Sequence, residues 1–466
     1  MPGSEFFAAE KEGSETALKT RMGSEAVSGS FPGQFFHPRA AIDNMPDYLI
    51  LLLMMAVFIL LATVFKLPMG ISLGLAALAG AAAGGEGIAL RHLVEGAFGF
   101  FDLILIIASA MIFMTVLQES GILDSLVAAI LKAFSRRKVW LLLTVMLLIM
   151  FPGMITGSSL AAVLSTGPII APVLIKLGLP PLKTAALIAV GAILGMIAPP
   201  VNILVMIMGG GVDMPYVGLT APLLIMTIPL AILTALWLGY RDLRIVSETE
   251  MKALLPPSLS GTYGFRLYLP LLVLIILMVF QNIHPPSIPD LGLPAIFFIG
   301  SLTGLVCGRP FNFFKATQKA IDEAMPILSI LAGVGMFIQV MTLTGARGWA
   351  VITFLSLPPI LFYLSLAVSL PLFGGVSAFG SASVLGVPFL LALIEKNAVI
   401  TSSALSAIVG IGDLMPPAAM AARFSSQVVG EKNFFRVLRY CIVPALWILA
   451  IGLGVLLLAP LLDKII

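Results

Sequence analysis

The sequence predicts an all-α polytopic membrane protein with about ten transmembrane helices and two re-entrant hairpins, arranged as two inverted-topology repeats. Three observations carry this expectation. Of the 466 residues, 59% are hydrophobic and 11% charged, and the mean hydropathy is +1.10, far from the half-apolar, quarter-charged make-up of a soluble domain. Apolar stretches of about 20 residues, enough to cross a hydrocarbon core of roughly 30 Å as helix, recur from Tyr48 onwards. The two halves also match one another at a fixed offset of 217 residues.

Taken in order, residues 1–47 carry seven acidic and four basic residues among Gly, Ser and Pro, the composition of a solvated tail that buries no core. No short apolar run with a small-residue cleavage site precedes Tyr48, so the first long run reads as a span that is retained. The apolar stretches fall at about 48–66, 70–90, 97–119, 139–178, 184–209 and 217–240, then 266–281, 291–308, 324–343, 357–393, 401–424 and 437–461. Short arm helices are expected near 122–136 and 346–356. Two stretches, 139–178 and 357–393, are too long for one crossing. Each is interrupted near its middle, by Phe151-Pro152-Gly153-Met154-Ile155-Thr156-Gly157-Ser158-Ser159 and by Phe373-Gly374-Gly375-Val376-Ser377. Gly and small hydroxylated residues there predict a hairpin that turns at membrane depth.

The repeat pairs Gly157 with Gly374, Ala161 with Ala378, Thr184 with Thr401, Gly195 with Gly412, and Pro199-Pro200 with Pro416-Pro417. It divides the chain into a first repeat over 48–245 (scaffold 48–136, hairpin and broken helix 139–240), a cytoplasmic linker over 246–265, and a second repeat over 266–461 (scaffold 266–356, hairpin and broken helix 357–461). Five crossings per half is an odd number, so the halves should lie inverted. Short cytoplasmic loops collect Lys and Arg. If the hairpins do not cross, the basic groups Lys132 with Arg136-Arg137-Lys138, Arg241 with Arg244 and Lys252, Arg309 with Lys315 and Lys319, and Lys432 with Arg436 and Arg439 all fall on one side. Both termini are then expected in the periplasm of a bacterial inner membrane, the first hairpin entering from the cytoplasm and the second from the periplasm.

Inverted repeats with broken helices form secondary transporters, where substrate and coupling ions sit near the midplane at exposed half-helix ends. Pro removes a backbone donor and breaks the ladder, so Ala198-Pro199-Pro200-Val201-Asn202 and Asp413-Leu414-Met415-Pro416-Pro417 should unwind and leave carbonyls free as cation ligands. The hairpin tips add hydroxyls, and their helix N-termini favour an anionic group. Substrate contacts are therefore expected from Thr156, Gly157, Ser158, Ser159, Gly374, Gly375, Ser377 and Arg423, the last through bidentate pairing with a carboxylate unless it reaches to the interface instead. Na⁺ ligands are expected among Ser158, Ser159, Ala198, Pro199, Asn202, Gly374, Ser377, Asp413 and Met415. Asp413 is the sharpest single residue, because a carboxylate within a span is costly and by default functional; Met196 holds the equivalent place in the first half. Asp102 reads as lying near the membrane surface.

Other classes fit less well. The net charge of +3 is spread along the loops, unlike a nucleic-acid-binding face. His37, His92 and His284 have no metal-ligand spacing, and Cys307 and Cys441 form no disulfide framework. No cofactor beyond a coupling ion is expected. Gly410-Ile411-Gly412-Asp413 matches the Gly-x-Gly-Asp of intramembrane aspartyl proteases, but that chemistry needs two carboxylates sharing a proton. The other candidate, Asp102, lacks the matching flank. No charged ring or carbonyl filter points to a channel.

On these residues the chain resembles the large membrane subunit of tripartite ATP-independent periplasmic (TRAP) transporters, within the ion transporter superfamily of elevator-type carriers. The resemblance rests on Gly157-Ser158-Ser159, the stretch from Ile169 to Gly178, Gly195-Met196-Ile197-Ala198-Pro199-Pro200 and, more weakly, Gly410 to Pro417. The chain departs from that pattern where Ala161-Ala162 replace an acidic residue, and where Pro285-Pro286-Ser287-Ile288-Pro289 stands for a Thr-Pro-Thr-Glu-Ala type segment. The resemblance implies Na⁺-coupled import of a carboxylate, commonly a C4-dicarboxylate or sialic acid, by a transport domain moving against a scaffold. It also implies a small membrane subunit and a periplasmic substrate-binding protein as partners. H⁺ coupling through Asp413 in a stand-alone anion carrier is the alternative within the class.

Overall fold

The computed structural model describes residues 45–245, 250–251, 254–283 and 291–462. The expectations for the tail up to residue 44, for Lys252, and for His284 with the segment Pro285 to Pro289 lie outside the described residues. Among the described residues there is no strand. The first half runs α1 (Asp47–Thr63), α2 (Met69–Ala83), α3 (Leu90–Phe98), α4 (Phe101–Glu119), α5 (Ile122–Phe134), α6 (Lys138–Thr156), α7 (Ser159–Lys176), α8 (Pro181–Ile197), α9 (Ile203–Gly210) and α10 (Thr220–Gly239). The second runs α11 (Leu269–Ile283), α12 (Gly292–Cys307), α13 (Phe313–Leu343), α14 (Ala346–Leu355), α15 (Pro359–Gly374), α16 (Ala378–Ala392, with a π turn over 382–386), α17 (Ala398–Gly410, prolonged by a 3₁₀ turn to Leu414), α18 (Met420–Val428) and α19 (Phe434–Leu462). At the 217-residue offset α11 and α12 match α1 and α2, α13 matches α3 with α4, and α14 to α19 match α5 to α10.

Seven described helices are long and apolar enough to cross a membrane alone, and the other apolar helices are shorter; Pro pairs and hairpin tips bound Pro181–Ile197, Pro359–Gly374, Ala378–Ala392 and Ala398–Leu414 among these. Two boundaries differ from the hydropathy pattern. The stretch at 97–119 is split at Gly99-Phe100, with α3 starting at Leu90. Helix α13 starts at Phe313 rather than 324, because the Asn312 side chain accepts the Lys315 N–H at 3.1 Å and caps it. Lys315, Lys319, Asp322 and Glu323 occupy its first turns, so the apolar pattern does not see them.

Side chains and loops locate one end of the bundle. Lys138 Nζ stands 4.9 Å from the Tyr240 ring centroid, Lys183 pairs with Asp242, and the Arg244 N–H donates to Leu177 O at 2.8 Å. Beyond α5, Arg309 Nε donates to Glu119 O at 2.6 Å and Lys319 Nζ to Glu119 Oε1 at 2.8 Å. The start of α6 thus meets the end of α10, and the loop before α13 meets the end of α4. At the opposite end Arg347 Nη2 donates to Gly211 O at 2.5 Å, and Tyr48 stacks on Trp349 with centroids 5.8 Å apart.

Helices α2, α3, α4 and α13 pack on one another beside the hairpins and broken helices. The long α13 lies along α2, α3 and α4 at glycine contacts: a Cβ on Gly335 would stand 1.9 Å from Gly96 O, and one on Gly333 2.4 Å from Gly70 O. Small residues allow such backbone approach between membrane helices. Within the spanning windows, 61% of α6 and of α13 is buried against 17% for Ser260–Gln281 and 28% for α19, so α11 and α19 present the lipid-facing surface.

Candidate functional site

Each hairpin turns beside the break of the helix that follows it. At the first tip Thr156 closes α6 and donates its Oγ1 to Pro152 O at 2.7 Å. Gly157 adopts φ 63°, and a Cβ there would meet Ile203 Cγ1 at 2.5 Å, so both conformation and space demand glycine. Ser158 then caps α7, its Oγ accepting the Ala161 N–H at 3.3 Å. At the second tip a Cβ on Gly375 would stand 2.5 Å from Pro416 O, and one on Gly374 2.8 Å from Gly412 Cα. Ser377 caps α16 by accepting the Gly380 N–H at 3.1 Å.

The breaks dock on these tips by backbone bonds from equivalent repeat positions: the Val201 N–H donates to Met154 O at 3.1 Å, and the Ala418 N–H to Gly375 O at 2.9 Å. Both Pro–Pro bonds are cis. The breaks form as the sequence predicts, but several carbonyls expected to be free are taken. Asn202 Nδ2 donates to Ile197 O at 2.9 Å, the Tyr216 hydroxyl donates to Pro200 O at 2.9 Å, the Ala419 N–H binds Met415 O at 2.9 Å, and Arg423 Nη2 donates to Pro417 O at 2.7 Å. A buried carbonyl freed by Pro must find a donor, and side chains supply most of them.

Two side-chain bonds join the hairpin and break of the first half to the broken helix of the second. Ser159 donates its hydroxyl to the Asp413 carboxylate, so the start of α7 meets the second break directly. Asn202 Nδ2 also donates to Ser406 Oγ at 3.0 Å, while its Oδ1 accepts the Val205 N–H at 3.1 Å. Asn202 is fully buried. Truncation by Asn202→Ala orphans two groups, the Ile197 carbonyl and the Val205 N–H, at about 1–3 kcal/mol each, so a clear fall in thermal unfolding temperature is predicted; an unchanged temperature would show that this junction does not hold the halves together.

A cavity of about 490 Å³ opens between hairpins and scaffold. Ser158, Ser159, Ser377 and Asp413 line one wall, and Met69 of α2, Met111 and Gln118 of α4, and Lys319 and Glu323 of α13 line the other. Of the predicted substrate and ion residues, these four face the cavity. Thr156, Gly157, Gly374 and Gly375 instead build the tips behind it, and Ala198, Pro199, Asn202 and Met415 lie in the breaks. Arg423 faces away, its guanidinium over the Phe434 ring at 5.0 Å and its Nη2 on Pro417 O. Asp102 is exposed in the first turn of α4 and is not part of this wall. The scaffold contributors Gln118, Lys319 and Glu323 were not foreseen, nor was Tyr216; the signal for Lys319 and Glu323 was the charged start of α13, which reads from sequence as an ordinary solvated loop.

Two helical hairpins set against two broken helices, in a chain whose halves repeat around a cavity facing a separate helical wall, define a secondary membrane transporter. The chain belongs to the family described as tripartite ATP-independent periplasmic transporter, DctM component, which it matches over residues 52–462. Among solved structures it is similar to the YdaH transporter of Alcanivorax borkumensis, at TM-score 0.57 and 15% identity over 78% of this chain and 87% of that one. It is likewise similar to MtrF of Neisseria gonorrhoeae, described as one of a class of antimetabolite efflux pumps, at TM-score 0.56 and 15% identity over 79% and 83%. At such identity these likenesses concern the fold. No curated protein sequence matches the chain.

Proposed function

We propose that the protein is the large permease subunit of a cation-coupled importer, in which Na⁺ and a small organic anion bind at the hairpin tips and move with the hairpins and broken helices past the scaffold. The observation that carries this is the cavity itself. The capped starts of α7 and α16 and the Asp413 carboxylate face α2, α4 and α13 across it. Helix N-termini supply donors and positive potential for a carboxylate, and Asp413 with neighbouring hydroxyls and break carbonyls supplies oxygen ligands for a cation. Family membership supports two partners, a small membrane subunit and a periplasmic substrate-binding protein, and a bacterial inner-membrane location with the basic end cytoplasmic.

The test is uptake by proteoliposomes carrying the permease with its small subunit and binding protein. Uptake that requires an inward Na⁺ gradient, and vanishes when choline replaces Na⁺, is the expected result; uptake indifferent to Na⁺ refutes the coupling. One observation favours a second reading. The side-chain partner of Asp413 is the neutral Ser159 hydroxyl, so the carboxylate is placed to take a proton as well as a metal ion. In that case uptake follows a pH gradient without Na⁺, and Asp413→Asn removes the pH dependence.

A further inference from the structure

Several polar groups around the cavity are already committed to protein partners, and this constrains what the site can carry. Gln118 Nε2 donates to Ser165 Oγ at 2.7 Å, and Ser159 donates to Asp413. Lys319, the single cationic side chain in the lining, is bound to Glu119 at 2.8 Å. Two carboxylates, Asp413 and Glu323, also line the cavity. Among the described residues the hydroxyls of Ser158 and Ser377 accept cap hydrogen bonds and donate to no protein group. Free hydroxyl donors therefore stand at the two hairpin tips, with the hydroxyls of Thr115 and Ser165 the further ones in the lining. Most of the remaining surface is hydrocarbon or thioether, with Met111, Met114, Leu164, Ile327, Ile330 and Phe379 among its contributors.

We infer that the transported anion is a monocarboxylate with an apolar body, its carboxylate held at the hairpin tips and its hydrocarbon or aryl part lying against the scaffold wall. The inference rests on the reading of this cavity as the transport site. A second carboxylate on the substrate would enter a scaffold wall with no uncommitted cation and with the acidic side chain of Glu323, and like charges there repel. A polyhydroxylated acid would strip water from its hydroxyls and find only a few partners, Thr115, Ser165 and Glu323 among them, and each unmet hydrogen bond costs affinity. An apolar body gains from leaving water, by roughly 25 cal/mol for each Å² buried.

Direct binding tests this without depending on a binding protein. The purified permease in Na⁺ is titrated, by thermal shift and by competition, with an aryl monocarboxylate, a branched aliphatic monocarboxylate, a C4-dicarboxylate and a sugar acid, since ligands of the folded state stabilise it. We expect the apolar monocarboxylates to bind at least about tenfold more tightly than the other two. Ile330→Asn and Leu164→Asn, on opposite walls, should each reduce that preference severalfold while leaving stabilisation by Na⁺ alone intact. Tighter binding of the dicarboxylate or the sugar acid, or no binding of any monocarboxylate, overturns the inference. Stabilisation by Na⁺ over choline without added anion reports separately on the coupled-carrier reading, so failure of the substrate class and failure of that reading are told apart.

Discussion

Asp413→Asn is expected to reduce apparent Na⁺ affinity by up to roughly 1,000-fold and to abolish gradient-driven uptake, with the fold preserved. The side chain sits on the short 3₁₀ turn that ends α17, where the ladder stops before Pro416-Pro417, and it takes the Ser159 hydroxyl from the other half of the chain. It is the one carboxylate contributed by the hairpins and broken helices to the cavity. A unit charge about 4 Å from a cation contributes roughly 4 kcal/mol at an effective dielectric near 20, and each 1.4 kcal/mol is about tenfold in affinity. Asn keeps the shape and can still accept the Ser159 hydrogen bond, so loss of uptake without loss of melting temperature would mark the charge itself as the cause. Wild-type Na⁺ dependence in this variant would remove Asp413 from the ion site.

The second large effect is structural. In Gly412→Ala the new Cβ would stand 2.5 Å from Gly374 Cα, and at the repeat-related Gly195 it would stand 2.3 Å from Met150 O. Both neighbours are backbone, so neither can rotate away. Overpacking of this kind typically costs about 1–3 kcal/mol, and here it separates a hairpin from its broken helix. We predict a lower unfolding temperature and loss of uptake in either variant. Gly348→Ala is the control: it lies in α14 with nothing within 4 Å of the added carbon, and it should be neutral or slightly stabilising through helix propensity. Equal tolerance of all three substitutions would mean that tip and break do not pack as described.

The parts of this architecture readable from sequence are those set by the bilayer and by backbone chemistry. Gly157 and Ser158 signal a turn and a cap because few other residues fit a left-handed C-cap followed by an N-cap, and both appear in those places. The Pro pairs signal breaks because proline has no N–H to donate. The fate of the freed carbonyls was not readable. Tyr216 reaches Pro200 O from 16 residues away in sequence, and Arg423 turns back to Pro417 O instead of facing the cavity. These are choices between partners of equal chemistry, decided by packing. The far wall was hidden for a different reason: Gln118 and Lys319 are distant from the hairpins in sequence and carry no motif, and only the fold brings them opposite Ser158 and Ser377.

If hairpins and broken helices slide as a body past the scaffold, as we propose, the bond between Gln118 of α4 and Ser165 of α7 crosses the moving seam. The most direct measurement introduces Gln118→Cys with Ser165→Cys in a background where Cys307 and Cys441 are Ser, and follows cross-linking and uptake together. The pair is expected to cross-link readily under oxidant, the link to block uptake and reductant to restore it, and Na⁺ with substrate to change the cross-linking rate. A fully cross-linked permease that still transports at the uncross-linked rate would contradict the sliding mechanism.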